Sequence, residues 1–176
     1  MGAVSPEPTI TMDLDQILPQ LLAGECPKTT EDLDTLKQEH DITAVLCLQT
    51  KDEFAQERID WDRLEAHYQQ SGIEVQRVPV RADTPDRFRR SVPEAVQALD
   101  GLLRVGHKVY VHCSLGRCRA PTVIVAYLHW VQDWDLEEAL DYVTACRSCA
   151  PEVAVLKFAT EDWQRDPSRG LKVVSV

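Results

Sequence analysis

The chain has 176 residues, of which 44% are apolar and 27% charged, a composition typical of one folded domain and not of a disordered chain. Its 19 basic and 29 acidic residues give a net charge of −10, which disfavours binding to nucleic-acid phosphates or anionic membranes. The longest apolar stretch, residues 123–131, is far shorter than the roughly 20 residues that cross a bilayer. We therefore expect a soluble monomer without nucleic-acid or membrane partners.

The first residues predict an intracellular location. They lack the basic and apolar regions of a secretory signal and the arginine-rich character of a transit peptide. The six cysteines are accordingly interpreted as thiols of a cytoplasmic protein, with the plastid stroma as the alternative if a transit peptide has been removed. We divide the chain into an N-terminal arm (residues 1–11), a folded domain (12–165) and a C-terminal tail (166–176).

Short β-branched runs alternate with helical patterns along the chain. Residues 43–48 and 108–112 are typical of buried strands, and residues 73–80 form a third candidate, which Pro79 weakens. This alternation predicts an α/β domain with helices on both faces of a small sheet.

The helical patterns become clear in the second half of the chain. Ser91 and the glutamate three residues later predict a capping box, and the helix that it opens is expected to stop at Gly106. Asp135 predicts the start of a second helix, and Pro151 suits the first turn of a last one. The domain is therefore expected to end in a helical run.

One segment, VYVHCSLGRCRAPT over residues 109–122, passes from a strand through a glycine loop into a helix. This layout presents backbone N–H groups and the positive end of a helix dipole to an anion. A cysteine there has a lowered thiol pKa, which makes Cys113 a candidate nucleophile, and Arg119 can hold two oxygens of a phosphate. The alternative is a buried apolar Cys113 and a surface Arg119. The full pattern H-C-x-x-G-x-x-R favours the functional interpretation, since chance produces it in on the order of one chain in a thousand or fewer.

That pattern resembles the loop of cysteine-dependent phosphatases of the dual-specificity branch, and it is matched here by His112, Cys113, Gly116 and Arg119. The resemblance implies a small central mixed sheet flanked by helices over about residues 12–165. It also implies phosphate monoester hydrolysis through a phosphocysteine intermediate, without a metal or another cofactor. Around Cys113, the implied phosphate-binding loop comprises His112, Ser114, Leu115, Gly116, Arg117 and Cys118.

Such a mechanism needs a general acid. The family carries an aspartate some 30 residues before the cysteine, and Asp83 lies 30 residues before Cys113. Asp86 is the reserve candidate, and either aspartate could instead form a turn. Five arginines within residues 77–90, together with Arg117, predict a positive rim that attracts a phosphorylated substrate.

The residues after Arg119 narrow the substrate class. Most protein-directed members carry Ser or Thr there, whereas Ala120 and Pro121 resemble plant-type glucan phosphatases, as do residues 130–132 and 147–151. The glucan phosphatase loop C-x-A-G-x-G-R differs from C-S-L-G-R-C-R here. We expect a phosphorylated α-glucan as substrate, with a phosphoprotein as the alternative. A weakly active phosphate-binding module is the third possibility.

Cys146 and Cys149 form a C-x-x-C motif outside this loop. No second such motif and no histidine pair completes four zinc ligands in the sequence. We therefore interpret both residues as free thiols and expect no metal.

Overall fold

The computed structural model describes residues 12–165, and the arm and tail expected at the two ends lie outside this range. Its elements in chain order are β1 (Leu14–Leu18), β2 (Leu21–Gly24), α1 (Thr30–His40), β3 (Ala44–Cys47), α2 (Lys51–Gln56), α3 (Trp61–Ser71), β4 (Glu74–Arg77), α4 (Pro85–Arg104), β5 (Val109–His112), α5 (Arg119–Trp130), α6 (Leu136–Cys146) and α7 (Val153–Arg165). Within the described range, every helix falls short of the length and apolar character that spanning a membrane requires.

The strands form one five-stranded sheet in the order β1-β2-β5-β3-β4. β1 pairs with β2 antiparallel, and the other three pairs are parallel. The sheet is therefore mixed, with β5 at its centre. The predicted fold class is confirmed, since strands alternate with helices and the described range ends in the helical run α5 to α7.

The two faces of the sheet carry separate hydrophobic cores, because successive side chains of a strand point to opposite faces. Val109 and Val111 of β5 pack into the core that contains α4, α5, α6 and α7. Tyr110, between them, packs into the core that contains α1, α2 and α3. The strand β3 alternates in the same way, and helices thus cover both faces, as the periodicity predicted.

The register of the parallel strands brings their carboxyl ends to one edge. His112, the last residue of β5, lies level with Gly24 of β2 and Cys47 of β3. The regular part of β4 is shorter than the predicted residues 73–80. Its pairing nevertheless continues past Pro79, since the Val80 amide donates to the Leu48 carbonyl at 3.0 Å. The loops that follow β3, β4 and β5 therefore meet, as is usual for binding sites of α/β sheets.

The predicted start of the first long helix is wrong. Helix α4 begins at Pro85, six residues before Ser91, and the hydroxyl of Thr84 caps it by accepting from the Arg87 amide at 3.2 Å. Ser91 lies inside the helix, where its hydroxyl donates to the Arg87 carbonyl at 2.7 Å. The Ser91 hydroxyl bonds to a carbonyl one turn earlier in the same helix and therefore does not cap a helix start. Threonine followed by proline is the stronger signal for the start of a helix.

Other boundaries agree more closely with the sequence. Asp135 caps α6 as predicted, because its carboxylate accepts hydrogen bonds from the backbone amides of Glu137 and Glu138. Helix α7 begins at Val153, two residues after Pro151. The first third of the chain also contains β1, β2 and α1, for which the periodicity made no prediction. Strands of four or five residues without regular alternation leave too little pattern to detect.

Candidate active site

The loop between β5 and α5 turns its carbonyl groups away from the space that it encloses. Donors outside the loop bond to the carbonyls of residues 114–118. These donors are the Cys26 amide (3.0 Å), two nitrogens of Arg147 (3.1 and 2.7 Å), the Ala150 amide (2.7 Å) and the Thr122 amide and hydroxyl (3.0 and 2.8 Å). In residues 12–165, no backbone bond from the amides of 114–118 is seen. Those N–H groups are therefore available to an anion.

Gly116 is the residue that lets this loop close against the sheet. Its φ of +64° lies in the left-handed region, which disfavours residues with a Cβ. A Cβ at this position would also lie 2.2 Å from the carbonyl oxygen of Gly24. Glycine is thus required at this position of the H-C-x-x-G-x-x-R pattern for two structural reasons, the left-handed backbone conformation and the close approach to β2.

Cys113 and Arg119 lie at the two ends of the loop. Cys113 follows β5 and is only 3% exposed. Arg119 is the first residue of α5, and no side chain caps that helix. The free N–H groups at its start therefore add to the anion-binding character of the loop. The structure brings these two predicted residues to one site.

Arg147 supports the loop from behind. Its side chain is 1% exposed, and it forms ion pairs with Asp13 and Asp15 at 3.1 and 2.8 Å. The same guanidinium donates to the Gly116 and Leu115 carbonyls. A buried charge that is paired and hydrogen-bonded on several sides holds its neighbours rigidly. In the sequence, Arg147 was noted only as part of a family resemblance and was not predicted as a site residue.

Arg119 is bonded to Glu53, which belongs to none of the predicted motifs. Nη1 donates to Oε2 of Glu53 at 2.9 Å, and Nη2 donates to Oε1. Burial would raise the pKa of Glu53, but hydrogen bonds from Arg119 and from the Thr50 backbone outweigh it, and the pKa is lowered. The carboxylate is therefore the charged partner of Arg119.

Asp83 faces the same cleft as Arg119. Both residues line a cavity of about 320 Å³ beside the loop that follows β3. The Asp83 carboxylate is half exposed and pairs with Arg87. Asp86 lies on a different groove, lined by Pro85 and by residues of α7, where it pairs with Arg89 and Arg90. Of the two aspartates, Asp83 thus lines the cavity of Arg119, whereas Asp86 lines another groove.

The positive rim predicted from residues 77–90 is partly neutralised. Arg87, Arg89 and Arg90 all form ion pairs with aspartates. Arg117 is 63% exposed and lies 4.0 Å from Asp13. Exposed pairs of this kind contribute little to stability, but they reduce the field that a substrate meets.

The remaining cysteines are free thiols in the described part of the chain. Burial, followed by the nearby Glu152 carboxylate, raises the pKa of Cys118 to about 11, and this second loop cysteine is therefore protonated at neutral pH. Cys146 and Cys149 do not pair with each other. No cluster of metal-ligating side chains is found among residues 12–165.

His112 is buried beneath the loop. Its Nδ1 donates to the Cys113 carbonyl at 3.2 Å, and its Nε2 has no partner within residues 12–165. Burial, and to a lesser extent the positive charge of Arg119, lowers the pKa of His112 to about 4. The imidazole is therefore neutral at physiological pH, and its Nδ1 holds the carbonyl at the start of the loop.

This shift predicts a pH-dependent stability term. The unfolded chain binds the proton near pH 6.5 and the folded chain near pH 4, and the term is therefore lost as pH falls through this window. His112→Asn keeps a donor near Nδ1 but does not titrate. Between pH 7.5 and 5.0, the free energy of unfolding of the wild type is expected to fall by about 2 kcal/mol more than that of the variant. Urea denaturation at both pH values measures this, and equal losses would contradict a neutral, buried His112.

A buried cysteine, an amide-lined loop and a clamping arginine on a mixed α/β sheet define the class of cysteine-dependent phosphatases. Residues 25–165 match the model of the dual specificity phosphatase catalytic domain. The chain belongs to this family, and the predicted relationship is confirmed.

Two curated relatives cover nearly all of the chain. Phosphoglucan phosphatase LSF1, chloroplastic, of Arabidopsis thaliana is 33% identical over 92% of the chain and 27% of its own length. Laforin of Mus musculus is 30% identical over 90% of the chain and 50% of its own length. The chain thus spans between about a quarter and half of these relatives. The crystal structure of PTPMT1 has the same fold, with a TM-score of 0.70, 22% identity and coverage of 89% of this chain and 97% of that one.

Proposed function

We propose that the domain hydrolyses phosphate monoesters in two steps. The Cys113 thiolate attacks phosphorus while the bond to the leaving oxygen breaks, and Asp83 gives that oxygen its proton. Water then attacks the phosphocysteine, the S–P bond breaks, and Asp83 takes a proton from the water as orthophosphate leaves. Arg119 and the loop amides hold the three remaining oxygens in both steps.

The orientation of the loop carries this proposal. The carbonyls of residues 114–118 point away from the enclosed space, and a helix without a side-chain cap begins at Arg119. Amides fixed in this way are ready for an anion before it arrives, and the transition state is stabilised without a reorganisation cost. The buried Cys113 at the start of the loop is the nucleophile that this cradle serves.

A phosphorylated α-glucan is the substrate class that we propose. LSF1 is named a phosphoglucan phosphatase, and it aligns with nearly the whole chain. The residues Ala120 and Pro121 after Arg119 support the same class through their resemblance to plant-type glucan phosphatases. LSF1 is also named chloroplastic, which favours the plastid over the cytoplasm expected from the sequence.

A phosphoprotein is the second candidate, and one feature of the loop favours it. Leu115 is 61% exposed, although most large apolar side chains of the described range are buried. An exposed leucine on the phosphate-binding loop suits an apolar side chain of the substrate next to its phosphorylated residue.

The monomeric state, and the division of the chain into an arm, a phosphatase domain and a tail, are also proposals.

Orthophosphate release from two substrates distinguishes these possibilities. The wild type and Cys113→Ser are each incubated with solubilised phosphorylated starch and with a phosphotyrosine peptide. We expect Cys113-dependent release mainly from the starch. Release mainly from the peptide would identify a protein phosphatase, and binding without release from either would identify a phosphate-binding module.

A further inference from the structure

Among residues 12–165, the Arg119 guanidinium forms its hydrogen bonds through its two terminal nitrogens. Nη1 bonds to Glu53 at 2.9 Å and to the carbonyls of Leu48 and Val80 at 3.4 and 3.3 Å. Nη2 bonds to Glu53 and, at 3.2 Å, to the hydroxyl of Ser114. Within residues 12–165, no bond from Nε is observed. The Nε edge therefore remains for a ligand of the loop.

The Glu53 carboxylate is itself fixed in place. It lies in the first turn of α2, where its Oε2 accepts from the Thr50 amide at 2.7 Å as part of a capping box. Its Oε1 accepts from the Ser114 hydroxyl at 3.2 Å. The carboxylate is thus anchored both to the loop after β3 and to the phosphate-binding loop. It is a rigid partner for Arg119 and not a mobile surface charge.

We propose that Glu53 is a positioning residue for the phosphatase reaction, which rests on the function proposed above. Its two oxygens match the two terminal nitrogens of the Arg119 fork, and such a bidentate pair fixes the plane of the guanidinium. The Nε edge is then held toward the phosphoryl group before the substrate binds. This matters most in the transition state, where a misplacement of about 1 Å costs about 100-fold in rate.

The position of Glu53 has a second consequence, because a carboxylate beside an anion site also repels the anion. If repulsion were dominant, Glu53 would be an inhibitory group that competes with phosphate for Arg119. The two roles predict opposite changes in turnover when the charge is removed. Kinetics of a single variant therefore decides between them.

Glu53→Gln removes the charge while retaining one acceptor for the capping box. With p-nitrophenyl phosphate, we expect kcat to fall about 10- to 100-fold because the fork loses one of its two acceptors. The inhibition constant of inorganic phosphate is expected to change less than about threefold, since lost orientation and relieved repulsion offset each other in the ground state. Glu53→Asp keeps the charge but is one methylene too short to reach both nitrogens, and it is expected to lose kcat as well.

Asp62→Asn is the matched control, since it removes the same charge from the first turn of another helix, α3, and Asp62 does not line the cavity of Arg119 and Asp83. Its kcat is expected to stay within about twofold of the wild type. Melting temperatures of all variants show whether they are folded. An unchanged or increased kcat in folded Glu53→Gln would overturn the positioning role, as would an equal loss in Asp62→Asn.

The result also separates this inference from the proposed function. If Cys113→Ser is as active as the wild type, the proposed mechanism itself fails. If Cys113→Ser is inactive and Glu53→Gln has wild-type kcat, only the role of Glu53 fails.

Discussion

Cys113→Ser is expected to reduce orthophosphate release by roughly 10⁴-fold or more, the scale seen when a covalent enzyme loses its nucleophile. Serine has nearly the same size, and the packing around this buried side chain should be retained. Its hydroxyl, however, ionises far less readily than a thiol at neutral pH, and the first chemical step loses its nucleophile. Rates are measured with p-nitrophenyl phosphate and with phosphorylated starch.

Cys146→Ser is the control for this substitution. Cys146 is a partly buried free thiol on α6, outside the phosphate-binding loop. Its replacement should leave turnover within about twofold of the wild type. Equal activity of Cys113→Ser and Cys146→Ser would remove the phosphocysteine mechanism.

Asp83→Ala is expected to have the second-largest effect, and that effect should depend on the leaving group. Loss of a general acid costs about 10² to 10⁴-fold when the leaving oxygen needs a proton, as an alkyl alcohol does. A leaving group such as p-nitrophenolate departs without help, and the first step of its hydrolysis should be largely spared. Rates with the two substrate types are compared for wild type and variant.

Asp86→Ala provides the matched control, because Asp86 lies three residues further on and pairs with Arg89 and Arg90 on another groove. Its rates with both substrate types should stay close to those of the wild type. If Asp86→Ala showed the dependence on the leaving group and Asp83→Ala did not, the general acid would be Asp86.

The residues of the phosphate-binding loop could be predicted because their relationship is local. Cys113, Gly116 and Arg119 lie within seven residues of one another, and a strand, a glycine turn and a helix start are sufficient to bring them together. Asp83 was predicted from its spacing to Cys113, with the family resemblance as guide, and its role stays a prediction. It reaches the site because backbone bonds beyond β4 hold Val80 beside Leu48.

Glu53 and Arg147 could not be found in the same way. They lie 66 and 28 residues from Arg119, and only the order of the strands and the packing of α6 bring them to the loop. The pattern around Ser91 misled for a related reason, since a serine three residues before a glutamate occurs inside helices as well as at their starts. Short-range patterns identify the loop but not the residues that support it from other elements.

Detection of the phosphocysteine tests the central claim most directly. Asp83→Ala is mixed with p-nitrophenyl phosphate and acid-quenched within the first turnovers, since loss of the base should slow hydrolysis of the intermediate. Peptide mass spectrometry is expected to find a phosphoryl group on Cys113, and none in a sample made from Cys113→Ser. Turnover without any phosphoryl group on Cys113, or the group on another residue, would contradict the mechanism.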